Sequence, residues 1–300
     1  MINFGFGVLA SIVATIIVGI ILHFRKIHKS PFEYIIDKNN CLTITGCKDW
    51  ALIKEIEIPS VIRHRKVTNI GENAFYAYVG LVSMIIPDSV TSIGDGAFTG
   101  CISLTKIKIP DSVTFIGNRA FWNCNSLTSV KISNNVTSIG DSAFTDCISL
   151  TKIEIPDSVT FIGNRAFWNC NSLTSVIISN SVTSIGDSAF YLCSSLTSIT
   201  IPGNVASIGN QVFNECSNLT SVIISNGVTS IGNLAFSYCS NLIKIEIPDS
   251  VTFIGNNAFV FNKKLTVRCS LNSYAHNYFI QRNNNCIKYN IESEITFELI

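Results

Sequence analysis

Hydrophobic residues recur along this chain with a period of 23 residues. Nine phenylalanines follow one another at that spacing without a slip, from Phe75 to Phe259. Ile-Gly pairs and leucines keep the same phase, and so do seven cysteines, each three residues after a phenylalanine: Cys101, Cys124, Cys147, Cys170, Cys193, Cys216 and Cys239. This period predicts a solenoid, because one such unit buries its apolar side chains only by stacking on its neighbours.

Apolar and polar residues alternate in the first part of each repeat, which predicts a β-strand. In residues 104–110 the period of two sends Ile107 and Ile109 to one face of the strand and Lys106 and Lys108 to the other. We therefore expect one parallel strand per repeat, with the isoleucines in the core and the lysines in solvent.

A shorter extended piece and a turn complete the repeat. Val113 and Ile116 indicate the second extended segment, and Gly117 after them is expected to adopt a positive φ, which glycine reaches without steric cost. Asn118 occupies a position that holds Asp or Asn in eight repeats, and we expect its side chain to cap the following turn.

A period of 46 residues is nested within the 23-residue period. Residues 101–132 match residues 147–178 at thirty of thirty-two positions. This near-identity indicates duplication of repeat pairs, with little divergence since.

The repeat unit resembles that of a known family. Its consensus, Leu-Thr-x-Ile-x-Ile-Pro-Asp-Ser-Val-Thr-x-Ile-Gly-Asp-x-Ala-Phe-x-x-Cys, is similar to the BspA-type leucine-rich repeat, and the match extends from about Pro31 to the C-terminus. The resemblance implies a leucine-rich repeat solenoid with one parallel β-strand per 23-residue repeat and short strands and turns on the convex side. It also implies a binding or adhesion module, often displayed on cell surfaces, without chemistry of its own.

The same resemblance suggests how the chain is divided. Residues 31–66 are similar to an N-terminal cap hairpin and a first, longer coil, residues 67–261 are the regular repeats, and residues 262–300 are similar to a C-terminal cap. Within that cap, a short helix is expected around residues 273–278 and a last strand over residues 283–289.

An uncharged apolar run precedes the repeats. Residues 4–22 are long enough to cross a bilayer as one helix, so residues 1–30 are interpreted as a transmembrane anchor with a basic flank. Arg25, Lys26 and Lys29 follow the run and place the repeats in the cytoplasm by the positive-inside rule. The family resemblance favours the alternative, the cell surface.

Composition and charge argue against catalysis. Charged residues make up only 14% of the chain, and the net charge of +1 gives no general attraction to nucleic acid. Four histidines leave little material for metal binding or acid–base chemistry, and the chain has no phosphate loop, dinucleotide fingerprint or nucleophile elbow. We therefore predict no enzyme activity, no metal and no cofactor.

The cysteines have a structural interpretation. The seven repeated cysteines share one position and are predicted to be buried, unbridged thiols. Outside the repeats, Cys41 with Cys47, or Cys269 with Cys286, could form disulfides in an oxidising compartment, and their spacing leaves this open.

The outward strand positions are the candidate partner-binding face, because they vary where the core positions do not. The candidate residues are Lys106, Lys108, Lys131, Lys152, Glu154, Ile177, Ile223, Lys244 and Glu246. The four lysines are expected to form a basic patch, for which a solvated charged face is the alternative. Elsewhere, two aromatic pairs recur at 46 residues and either anchor a partner or pack over the coil edge: Phe115 with Trp122, and Phe161 with Trp168.

These observations favour a membrane-anchored recognition or adhesion module that binds a protein or glycan on its strand face. The alternative is a structural spacer or self-associating scaffold without a specific ligand, which low charge and near-identical coils would also suit.

Overall fold

The computed structural model of the protein describes residues 30–48, 53–288 and 294–300. These residues wind into a β-solenoid of about ten turns, as the period predicts. The membrane helix predicted over residues 4–22 lies outside the described residues, as do the basic residues that follow it. Within the described residues, no helix is long and apolar enough to cross a membrane.

The solenoid begins with a hairpin and one longer turn. Strands β1 (Phe32–Ile36) and β2 (Leu42–Cys47) pair antiparallel, and β3 (Glu55–Glu57) follows them. Strand β4 (Val61–Ile62) forms a second small hairpin with β5 (Arg65–Ile70), which also pairs in parallel with β2. The hairpins cover an end of the core that an uncapped solenoid would expose.

Each later turn contributes one strand to each of two sheets. The first sheet contains β3 and the longer strands β6 (Ser83–Ile85), β8 (Lys106–Lys108), β10 (Ser129–Lys131), β12 (Lys152–Ile155), β14 (Ser175–Ile178), β16 (Ser198–Ile201), β18 (Ser221–Ile224), β20 (Lys244–Glu246) and β22 (Lys264–Cys269). It is divided between β14 and β16 into two parts.

The second sheet continues from β5 with two-residue strands. These are β7 (Ser92–Ile93), β9 (Phe115–Ile116), β11 (Ser138–Ile139), β13 (Phe161–Ile162), β15 (Ser184–Ile185), β17 (Ser207–Ile208), β19 (Ser230–Ile231) and β21 (Phe253–Ile254). In both sheets, equivalent residues of successive repeats pair in parallel, so the 23-residue period sets the register.

The core is a stack of phenylalanine rings. The nine rings from Phe75 to Phe259 are fully buried, and neighbouring ring centroids lie 5.1 to 5.5 Å apart. Ile107 and Ile109 face the same core, whereas Lys106 and Lys108 are exposed. The predicted orientation of the strand is therefore confirmed.

The glycines of the Ile-Gly pairs permit close stacking, and the positive φ predicted for Gly117 is wrong. Positive φ occurs instead two residues before and two residues after each phenylalanine, as at Arg119 and Asn123. A Cβ on Gly117 would lie 2.6 Å from the backbone nitrogen of Asp95 and from the carbonyl carbon of Gly94 in the preceding turn. The glycine is needed because adjacent turns leave no room there for a side chain.

The Asp or Asn position links turns to one another, so the capping role predicted for Asn118 is wrong. The backbone N–H of Asp141, the equivalent residue in the next turn, donates to Asn118 Oδ1 at 2.8 Å, and Asn118 N–H donates likewise to Asp95 Oδ1. This contact continues to Asn256, and we call the row the Asx ladder. Asp and Asn alternate along its first part, where each Asn amide also donates to the preceding carboxylate.

The repeated cysteines form a second ladder. Each thiol is buried and donates to the backbone oxygen of the phenylalanine 26 residues earlier, as Cys170 does to Phe144 at 3.2 Å. Burial raises the pKa of Cys101, Cys193 and Cys239 to about 12. These cysteines are free thiols, which confirms the prediction.

Other residues replace cysteine in the terminal repeats. Asn262 Nδ2 donates to the backbone oxygen of Phe236 at 3.2 Å, in the manner of a ladder thiol. The hydroxyl of Tyr78 donates to the backbone oxygen of Cys47 at 2.7 Å and so joins the first repeat to the N-terminal hairpin. Cys41 and Cys269 are free thiols, so neither disulfide left open by the sequence is formed here.

A helix and a final strand close the C-terminal end. Helix α1 spans Tyr274–Lys288, and β23 (Glu294–Leu299) pairs in parallel with β22. The last strand predicted over residues 283–289 is therefore wrong, because the helix continues to Lys288 without a Gly or Pro to end it. Phe279 of the helix is fully buried, with its ring centroid 5.0 Å from that of Phe259.

Candidate functional site

The outward side chains of the first sheet form two parallel columns, which we call the strand face. Each strand contributes one residue to each column, as β8 does with Lys106 and Lys108 on either side of the buried Ile107. Parallel pairing sets Ser129 beside Lys106 and Lys131 beside Lys108. Neighbours within a column are therefore one strand spacing apart, about 4.8 Å.

Four exposed lysines lie on three adjacent strands, β8, β10 and β12. They are Lys106, Lys108, Lys131 and Lys152, and we call them the basic patch. The described residues contain no ion pair that involves any of the four. Lys108 and Lys131 are direct cross-strand neighbours, an arrangement that destabilises a sheet when the two charges are alike.

In the second column, an exposed isoleucine adjoins the basic patch at one end, and Glu154 separates the patch from another at the other end. Ile85 lies beside Lys108 and Ile177 beside Glu154, and the two isoleucine side chains are 59% and 60% exposed. Ile223 is also exposed, but it lies beyond the division between β14 and β16. Ile85 was not among the candidates, although its outward strand position marks it in the sequence.

The C-terminal end of the strand face is occupied by ion pairs. Lys244 Nζ lies 2.9 Å from Glu298 Oε2, and Arg268 Nη1 lies 3.0 Å from Glu246 Oε2. The hydrogen bond from Lys244 also lowers the pKa of Glu298. Lys244 and Glu246 thus contact the C-terminal cap and lie apart from the basic patch. Sequence analysis missed Arg268 because it follows Glu246 by 22 residues and is out of phase with the repeat.

The aromatic pairs occupy two separate places. Phe115 and Phe161 lie on the two-residue strands β9 and β13, whereas Trp122 and Trp168 lie on the following turns and line a groove. Phe115, Phe161 and Trp122 are 38% to 41% exposed, so packing over the coil edge does not cover them.

The site is a surface of side chains and offers no metal-binding cluster. In the part of the chain that the structure describes, no three His, Cys, Asp or Glu residues are grouped so that they could hold a metal ion. What the strand face offers is a row of charged, hydroxyl and isoleucine side chains on a regular backbone. Such an arrangement suits recognition of another surface.

Stacked turns with an in-register parallel sheet and a row of varied outward residues define a leucine-rich repeat protein. The family model of the BspA type leucine-rich repeat region matches residues 48–174 and 137–266. The chain belongs to this family, which confirms the resemblance seen in the sequence. BspA-like proteins are generally protein-binding or adhesion modules, and leucine-rich repeat proteins are typically non-enzymatic scaffolds.

Solved structures include similar chains. A leucine-rich repeat protein of T. pallidum is 27% identical, with a TM-score of 0.54, and the match covers 71% of this chain and 88% of that one. A leucine-rich repeat protein from Bacteroides ovatus is 20% identical over 91% of this chain and 99% of that one, with a TM-score of 0.47. A leucine-rich cell surface protein from Faecalibacterium prausnitzii is 26% identical over 88% and 96%, with a TM-score of 0.37. No curated protein is significantly similar in sequence.

Proposed function

We propose that the chain is a non-catalytic recognition module that binds an acidic protein surface through the basic patch and the neighbouring Ile177. The observation that carries this proposal is the divergence between the two copies of the duplicated unit. Among residues 101–132, twelve are exposed, yet only Lys108 and Lys131 differ from their counterparts in residues 147–178. Both positions lie in the second column of the strand face. The rest of the 46-residue unit differs at Asn135, Thr145 and Asp146, of which only Asn135 is exposed.

The nature of these two differences supports recognition. Lys108 corresponds to Glu154 and Lys131 to Ile177, so one copy presents positive charge where the other presents negative charge or an apolar group. A spacer would accept changes at any exposed position. Of the three exposed differences in the unit, Lys108 and Lys131 fall in one column, and such concentration is expected where that column selects a partner.

The charge arrangement supports an acidic partner. The lysine neighbours Lys108 and Lys131 repel each other in the free protein, and a carboxylate between them would relieve that repulsion. Ile177, one strand beyond Lys152, would supply an apolar anchor at the edge of the basic patch, with Glu154 between it and Lys131 in the same column. The partner surface is therefore expected to carry acidic residues next to an apolar pocket.

The test is binding of the labelled full-length chain to arrayed proteins of known net charge, in a mild detergent. We expect retained proteins to be mainly acidic, with signals that weaken as salt rises. The quadruple variant K106E/K108E/K131E/K152E should no longer bind these acidic proteins. Lys66→Glu, which replaces an exposed lysine on β5, serves as the control. Equal retention by the quadruple variant and the control would support the alternative, a spacer or scaffold without a specific ligand.

We also propose that residues 4–22 anchor the module in a membrane, with the repeats on the cytoplasmic side. The length of the apolar run supports the anchor, and Arg25, Lys26 and Lys29 support the orientation. Protease added to intact cells should leave the repeats whole until lysis. Digestion before lysis would instead support display on the cell surface, and recovery of the chain without membranes would overturn the anchor.

A further inference from the structure

A groove follows the solenoid axis beside the Asx ladder, away from the strand face. Its volume is about 820 Å³, and it extends from Glu72 to Gln211. A second hollow of about 510 Å³ shares part of its lining and adds Trp168 and Tyr191. Nothing in the proposed strand-face function uses these residues.

The groove repeats every two turns. Arg119 and Trp122 occupy one turn, and Arg165 and Trp168 occupy the equivalent positions two turns later. At the positions equivalent to the arginine and the tryptophan, the turn between them carries Ser142 and Thr145. Because two strand spacings amount to about 10 Å, the Arg–Trp units recur over that distance.

The backbone that carries each arginine is held by the preceding turn. Thr99 Oγ1 donates to the backbone oxygen of Arg119 at 2.7 Å, and Thr145 Oγ1 donates to that of Arg165 at 2.6 Å. The guanidinium groups form no ion pair or side-chain hydrogen bond among the residues that the structure describes, although Arg119 lies over the Trp122 ring at 5.5 Å. Their donors remain available to a ligand.

The aromatic rings are also fixed in place. Trp122 Nε1 donates to Asp146 Oδ2 at 3.0 Å, and the Trp168 ring stacks on Tyr191 with centroids 6.0 Å apart. The hydroxyl of Tyr191 in turn donates to Glu215 at 2.6 Å, which raises the pKa of Tyr191 to about 12. Rings held in this way lose little freedom when a ligand binds, which favours binding.

The charge of the groove selects against an anionic ligand. Its lining contains the four carboxylates of Glu72, Asp95, Asp141 and Asp187 but only two arginines. The second hollow adds the carboxylate of Asp146, which accepts from Trp122. The remaining polar groups of the lining are amides and hydroxyls, and the apolar groups are aromatic rings. This set matches a ligand that has many hydroxyls, no charge, and apolar ring faces that stack on aromatic side chains.

We propose that this groove binds an uncharged, extended, β-linked hexose polysaccharide, with one disaccharide for every two turns. Equatorially linked hexose rings flip at each linkage and repeat every two rings, over about the length that separates the Arg–Trp units. One ring of each disaccharide stacks on Trp122 or Trp168, and Arg119 and Arg165 donate to the hydroxyls. This site is separate from the protein-binding strand face and does not depend on it.

Isothermal titration of the full-length chain, in a detergent without a sugar headgroup, tests the proposal. Because two Arg–Trp units are present, cellotetraose should bind at least tenfold more tightly than cellobiose, and maltotetraose, which is α-linked, should bind weakly. The double variant Trp122→Ala, Trp168→Ala should lower affinity for cellotetraose at least tenfold. Phe115→Ala, Phe161→Ala is the matched control, because it removes exposed rings from the same two turns outside the groove and should leave affinity unchanged.

Three results would overturn the assignment. The first is that cellotetraose does not bind a chain that circular dichroism shows to be folded. The second is that the tryptophan and phenylalanine double variants lose affinity for cellotetraose equally. The third is tryptophan-dependent binding of a polyproline peptide in place of the glycan, because that helix repeats over about 9 Å and would make this a peptide groove. Stronger binding of carboxymethylcellulose than of uncharged hydroxyethylcellulose would contradict the charge argument.

Discussion

Replacing Phe167 with Ala should destabilise the middle of the solenoid strongly. The ring is fully buried, and its centroid lies 5.4 Å from that of Phe144 and 5.2 Å from that of Phe190. Truncation of a buried phenylalanine costs about 3 to 5 kcal/mol, and loss of two stacked neighbours places this site in the upper half of that range. Phe161→Ala, in the same repeat but 39% exposed, should cost about 1 kcal/mol or less.

Urea unfolding followed by circular dichroism measures both costs, and amide hydrogen exchange locates them. Because each turn contacts only its neighbours, protection should fall in the turns around Phe144, Phe167 and Phe190 and remain near Phe75. A loss below about 1 kcal/mol for Phe167→Ala, or one equal to that of Phe161→Ala, would refute the argument that the ring stack holds the turns together.

Four further predictions concern the buried thiols and the backbone between the turns. The seven repeated cysteines should resist thiol reagents until the chain unfolds, and rapid labelling of the native protein at several of them would contradict their burial. Burial raises the pKa of Cys193 from 9.0 to about 12, so the stability it contributes is complete below about pH 9 and is lost as pH rises towards 12. In this pH range the unfolding free energy should fall by about 1.4 kcal/mol per pH unit for each such thiol. Urea unfolding measured at several pH values should show that Cys193→Ser reduces this pH dependence by the contribution of one thiol. Gly140→Ala should cost at least about 1 to 3 kcal/mol, because the new Cβ would lie 2.6 Å from the carbonyl carbon of Gly117. Ser142→Gly, two residues later at φ 56°, should instead raise the melting temperature by relieving about 1 kcal/mol of left-handed strain, and a lower melting temperature would argue against that strain.

The sequence predicted the fold best where a periodic pattern is compatible with only one local structure. Alternation at Lys106 to Ile109 predicted the strand and its buried face, and the unbroken phenylalanine spacing predicted the ring stack. Gly117 shows where such inference fails, because a required glycine can reflect either a positive φ or a lack of space, and only the neighbouring turn distinguishes the two.

The candidate site was predictable in position but not in its contacts. The outward columns followed from the strand pattern, so the location of Lys108 and Lys131 could be predicted. The ion pair of Glu246 with Arg268 could not, because the cap breaks the 23-residue phase and its pairing depends on the folded end of the sheet. The groove arginines Arg119 and Arg165 carried a signal, their 46-residue spacing, but their freedom from ion pairs is a property of the folded chain.

The alternation of Asp and Asn in the Asx ladder limits how the protein can change length. Removing the single turn that contains Asn118 would bring Asp95 beside Asp141 and set two carboxylates about 4.8 Å apart, with no amide between them. Removing two turns would bring Asp95 beside Asn164 and keep every acid next to an amide. Loss of a single Asn-bearing turn from this region, by recombination or by design, is therefore expected to be resisted, whereas loss of 46 residues is expected to be tolerated.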